Sequence, residues 1–239
     1  FFFRRRWRIL RWRLWRRCSR ANDEIKLNLN FNKEVRIKEN ITLTLNASNG
    51  GTLKTVTINA SDTYSKTLTT TYKVANGDIT TEVLNVSALS GKVVDKLNTE
   101  LQLNADVLST ATNLAATKQI TIDTTAPILK TITTTSANGW YKAGDTIAVI
   151  LTFDEDVKVG STKPTLSMSS GGTAVYQSGS GQTMNFIYTV AAGNTTVTAT
   201  NLKVSVISGD ILDMAGNAFG KSLPSAANFS GKSIGIDTQ

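Results

Sequence analysis

The feature that most constrains this chain is that it carries one pattern twice. Residues 21–37, ANDEIKLNLNFNKEVRI, align with 143–159, AGDTIAVILTFDEDVKV, with Asp23/Asp145, Phe31/Phe153 and Val35/Val157 in step. The match continues in order along the chain. ITLTLNASNGGT (41–52) parallels PTLSMSSGGT (164–173), LTTTYKVANGD (68–78) parallels MNFIYTVAAGN (184–194), and VSALSGKVVDK (86–96) parallels VSVISGDILDM (204–214). TATNLAATKQITIDT (110–124) then parallels SAANFSGKSIGIDT (225–238). Self-similarity over that length means a single structural unit built twice.

Each copy alternates apolar and polar residues. Ile25, Leu27, Leu29 and Phe31 face one way with Lys26, Asn28 and Asn30 between them, and Ile147, Val149, Leu151 and Phe153 repeat the pattern. Period-two alternation marks half-buried antiparallel strands. Thr and Val suit pleated surfaces, and Gly/Asn clusters such as NASNGG, VANGD and AAGN punctuate the runs. No segment shows a sustained helical stripe. About seven short strands per copy, with turn signals roughly every eight to twelve residues, predict an all-β chain of two tandem antiparallel β-sandwiches. The predicted divisions are 1–20, 21–126 and 127–239, with Pro127 marking the linker. The second copy begins well before Ala143, with TAPILKTITTTSANGWYK supplying a first strand. The first copy has no such stretch upstream of Ala21 and is expected to lack its N-terminal strand.

Charge divides the chain unevenly. The formal net charge is +8, yet all 18 acids lie in 21–239 with 17 of the 26 bases, so this body is near neutral. FFFRRRWRILRWRLWRRCSR (1–20) holds nine arginines, three tryptophans, the single cysteine and no acid. It has no apolar core like that of a signal peptide, and it is read as a non-native or unstructured head. A cationic arm, an expression appendage and a shifted reading frame are its competing origins. No nucleic-acid partner is expected for the body; membrane or polyanion contact is expected only through 1–20.

Catalytic chemistry is poorly supplied. The chain has no histidine, which excludes Ser-His-Asp and Cys-His machinery and histidine-based zinc sites. Asp154, Glu155 and Asp156 follow a strand as FDEDV, and their plainest reading is a solvated turn. Calcium is the alternative, because it takes oxygens from loop carboxylates and amides. The candidate ligands are Asp123, Asp154, Glu155, Asp156, Asp210, Asp213 and Asn217. The first copy has Asn32, Lys33 and Glu34 where the second has Asp154, Glu155 and Asp156, so a site there would lose charge and meet a competing amine. Trp140 and Tyr141 are expected to pack over the core edge.

YKAGDTIAVILTFDEDVKV, GGTAVYQSGSG, FIYTVAAGN, DMAGN and IDTTAP resemble the bacterial Ig-like repeats strung together in large surface adhesins and biofilm proteins. The resemblance spans the second copy almost end to end. The first diverges, with DKLNT (95–99) in place of DMAGN (213–217). It implies Ig-like sandwiches, an extracellular or bacterial cell-surface location, neighbouring repeats as partners in a longer array, and an unidentified surface or matrix ligand. It also implies calcium, for which Asp123 and Asp213 match the motif positions. The function expected is a non-catalytic structural or adhesive spacer. A glycan- or ligand-binding module and a cationic membrane-active protein working through 1–20 are the alternatives.

Overall fold

The structure is a computed structural model, and it describes residues 17–110, 114–196, 201–224, 229 and 231–239. The chain is all-β and divides into two compact units, 1–124 and 125–239, close to the expected 126/127.

In the first unit, β1 (Arg17–Ser19) is followed by one strand of 26 residues, β2 (Glu24–Asn49). Next come β3 (Thr52–Ile58), β4 (Ser61–Lys73), β5 (Val86–Asp95) and β6 (Glu100–Leu103). Two short helices, α1 (Ala105–Thr110) and α2 (Leu114–Thr117), precede β7 (Ile120–Ile122). Where several short strands were expected, beginning with one over 24–31, β2 runs unbroken from 24 to 49. Its first part pairs with β4 and its last part with β3, while β5 spans the middle and the end. Register shifts at Asn30/Val35 and Val35/Ile37 bend it, so one strand serves both sides of the core.

The helices were not expected. Their Ala/Leu content favours helix, and Asn104 caps α1 by accepting from the Asp106 and Val107 amides at 3.0 and 3.3 Å.

The second unit runs β8 (Leu129–Thr133), β9 (Gly139–Tyr141), β10 (Thr146–Phe153), β11 (Val157–Val159), β12 (Thr165–Met168), β13 (Thr173–Ser180) and β14 (Thr183–Thr189). It finishes with β15 (Val204–Ser208), β16 (Ile211–Asp213) and β17 (Ile234–Ile236). Six strands form a sheet ordered β15-β12-β13-β14-β10-β8, and β11–β16 and β9–β17 form two separate two-stranded sheets. Here the path equivalent to β2 is broken into β10, β11 and β12. Gly160 and Pro164 stand in the second break, and Pro164 has no amide to donate to a ladder. Ile147, Val149, Leu151 and Phe153 are all essentially sealed, and Phe153 meets Phe219 edge to face at 5.3 Å.

The repeat is visible bond by bond. β1 pairs in parallel with β7 as β9 pairs with β17. The Asp23 carboxylate accepts from the Arg20 amide as Asp145 accepts from Lys142, and Val74 donates to Asp23 as Val190 donates to Asp145. Residues 17–20, assigned by sequence to the head, are therefore part of the unit and occupy the place of 139–142. The rest of that head, 1–16, lies outside the described residues. The expectation that the first copy lacks its N-terminal strand falls on those same residues.

Gly91 and Gly209 form the tightest repeated contact. Both have positive φ, +124° and +80°, and a Cβ on either would meet the backbone carbonyl oxygen of Asn40 at 2.6 Å or of Lys163 at 2.5 Å. Gly91→Ala and Gly209→Ala should each destabilise their own unit by about 1–3 kcal/mol. Gly220→Ala, in open space, should stay within about 0.5 kcal/mol of wild type in urea denaturation.

Candidate cation-binding site

Each unit anchors its last strand with the same set of side-chain bonds. Thr124 accepts from the Gly77 amide at 2.9 Å and donates to the Asp78 carbonyl at 3.0 Å; Thr238 does the same with Gly193 and Asn194. The hydroxyls of Thr80 and Thr196 accept from the amides of Ile122 and Ile236 at 2.9 and 3.0 Å. Inside this corner the Tyr72 hydroxyl donates to Asp78 at 2.6 Å, and the Tyr188 hydroxyl donates to Asn194 at 2.8 Å. Asp78 is fully buried and also meets the Lys54 ammonium at 2.8 Å and the Ala75 amide at 2.8 Å. Burial works against its charge, but Lys54, Tyr72 and Ala75 outweigh it and hold the carboxyl below the usual range. Burial first, and then Asp78, push the Tyr72 hydroxyl well above its ordinary value.

This scaffold places a second pair of loops in equivalent positions. At the end of β16, buried Asp213 accepts from the Gly216 and Asn217 amides at 2.5 and 2.8 Å and from the Asn217 side-chain amide at 2.7 Å. At the end of β5, Asp95 accepts from the Leu97 and Thr99 amides at 2.9 and 2.8 Å. The two loops differ in what faces the acid. In the first unit it is the Lys33 ammonium, 3.3 Å from the Asp95 carboxylate. In the second it is Glu155, with a carboxylate oxygen within 4.8 Å of one on Asp213. The Thr99 amide does most to lower the Asp95 carboxyl; partial burial opposes it, and Lys33 and the Leu97 amide reinforce it.

The structure sorts the sequence candidates. Glu155 and Asp213 are brought together, and Asn217 braces Asp213 with its amide nitrogen. Asp210 turns elsewhere, accepting from Ser161 and Thr162 at 3.2 and 3.0 Å to close the loop after β11. Asp154 accepts from the Ile128 amide at 2.7 Å, holding the start of β8, with Lys130 at 3.9 Å. Asp156 approaches the β13–β14 turn at Gly181. Asp123 follows β7 in the first unit, where its amide donates to the Ser19 carbonyl at 3.0 Å. Trp140 departs from expectation: it is 67% exposed and lies over Gly235, where a Cβ would meet the ring at 2.5 Å. The Lys33–Asp95 pair went unseen in the sequence, although aligning Lys33 with Glu155 was signal enough to find it.

Chemically, two carboxylates facing one another attract a cation, and oxygen-only donors suit a hard one. The equivalent point of the first unit carries its own ammonium. Among the described residues no helix is long and apolar enough to cross a membrane. No protein-family model matches this sequence, and a search of curated proteins finds no match.

The corner should make the first unit acid-sensitive. Asp78 has a folded pKa below its unfolded value of about 3.9, so its contribution is complete above that value and is lost as pH falls through the folded pKa. Asp78→Asn, which copies Asn194, should cost about 1–2 kcal/mol at pH 7 and flatten the dependence below pH ~4. Urea midpoints at neutral and acid pH, followed through resonances of Leu43 and Leu151 to report the units separately, check this.

Proposed function

We propose that this chain is a non-catalytic spacer, two Ig-like β-sandwich repeats of a bacterial cell-surface or secreted adhesin. The observation that carries the reading is where the two copies agree. They share the bonds that hold a sandwich closed: the Asp23/Asp145 turn, the Tyr72/Tyr188 corner, the Thr124/Thr238 lock and the Gly91/Gly209 approach. They diverge at exposed positions such as Trp140, which occupies the place of Cys18. Repeating a scaffold while its surface drifts is how length is built from a foldable unit. The sequence resemblance to adhesin repeats supports the same reading.

Single-molecule pulling on the full chain tests it. A spacer should give two unfolding events, each releasing roughly 30–40 nm of chain. One event, or none above the noise, would overturn the reading.

We further propose that Glu155 and Asp213 attract calcium in the second unit. Calcium at millimolar concentration should raise that unit's denaturation midpoint. Glu155→Lys, which copies the Lys33–Asp95 pair, should match that gain in chelator, by up to about 1 kcal/mol, and abolish the response to calcium. No calcium shift in the wild-type protein would remove the ion from the proposal and leave the spacer reading standing.

A further inference from the structure

The two units differ most along one strand edge. In the second unit β8 pairs with β10, and Leu151 and Phe153 are sealed at 0% and 1% exposure. Their counterparts Leu29 and Phe31 are only partly buried. Among the described residues, β2 over 26–31 is paired on its β4 side alone. Beside this edge lies a groove of about 560 Å³, floored by Leu29, Phe31 and Leu103, walled by Val107 and Leu108 of α1, and rimmed by Lys26 and Lys118.

We propose that this edge accepts an extended strand from a partner polypeptide, by β-augmentation, and that the strand has the chemistry of β8. The second unit supplies the template. There Thr133, Ile132, Thr131 and Leu129 stand opposite Ile150, Leu151, Thr152 and Phe153, with a bulge before Phe153. Transferred to the first unit, this register sets the guest's two apolar residues, three positions apart, against Leu29 and Phe31, and its threonines against Asn28 and Asn30. Main-chain bonds to the open ladder supply affinity, and the two apolar side chains supply selection. Charge narrows the partner further. Lys130 of β8 lies near Asp154, but the first unit has Asn32 at that position and two lysines on the rim. The rim therefore favours a guest with an acidic residue in the place of Lys130 over one with a basic residue. The proposal is independent of the spacer reading, because it concerns one edge of one unit.

The test uses the full chain and a fluorescein-labelled, end-blocked peptide with the sequence of residues 127–135, PILKTITTT. Anisotropy should show saturable binding, at least tenfold weaker for Leu29→Asp and for Phe31→Asp, and absent for a scrambled peptide. Replacing the peptide's lysine by glutamate should tighten binding several-fold, an effect that fades with added salt. Amide exchange should slow at 28–31 on adding peptide and stay unchanged at 146–153, which excludes strand exchange in the second unit. Phe31 is already partly exposed, so that variant should fold, as its unchanged circular dichroism would report. Absence of saturable binding, or binding indifferent to both substitutions, overturns the proposal. So does slow exchange, before any peptide is added, at those amides of 28–31 that point away from β4. If that protection is independent of protein concentration, the chain's own residues 1–16 fill the edge; if it grows with concentration, a second copy does.

Discussion

A buried hydrogen-bonded corner governs how each unit closes. Asp78 in the first and Asn194 in the second sit where a turn, a tyrosine hydroxyl and the residue after the last strand converge. A polar group taken out of water without partners costs several kcal/mol, so the corner forms only when the whole set is assembled. Among the described residues no buried side-chain nitrogen or oxygen lacks a partner. Because Thr124 and Thr238 belong to the set, the last strand is bound to a turn more than forty residues earlier in the chain. The sandwich is thereby closed by polar bonds as well as by its apolar core.

The corner tolerates two chemistries. Asp78 needs Lys54 to balance its charge, whereas Asn194 meets the Tyr188 hydroxyl and the Ala191 amide as a neutral acceptor. The loops at Asp95 and Asp213 show the reverse arrangement. There the acid is kept in both units, and the group facing it changes from Lys33 to Glu155. Both internal charge pairs, Lys54–Asp78 and Lys33–Asp95, thus belong to the first unit. The second unit has a neutral corner and two carboxylates facing each other at a loop held by backbone amides.

The continuous β2 and the broken β10–β11–β12 path show how little the strand divisions matter to the core. The same inward residues are buried in both, as Leu43 and Leu166 or Val35 and Val157 illustrate by their places in the two clusters. Flanking coverage matters more. Leu151 and Phe153 are sealed beside β8, whereas Leu29 and Phe31, which among the described residues pair with β4 alone, are only partly buried.

Much of this was legible in the residues. Alternation placed Ile25, Leu27, Ile147 and Val149 in the core, since a strand's side chains must point to opposite faces. The paired Ser-Gly steps at Gly91 and Gly209 marked the same backbone crossing twice. Local pattern also located the six acids and Asn217 but did not rank them, and the resemblance singled out only Asp123 and Asp213. Only the tertiary structure separated them, because which carboxylates meet depends on loops that close through backbone amides from distant positions. Asp210 was drawn to Ser161 and Thr162, and Asp213 was left facing Glu155. The same holds for residues 17–20. Their composition groups them with the arginine-rich head, yet their backbone completes the parallel pair with β7. Main-chain hydrogen bonding is indifferent to side-chain identity, so sequence could set the core, while the pairing of backbones decided that residues 17–20 belong to the first unit.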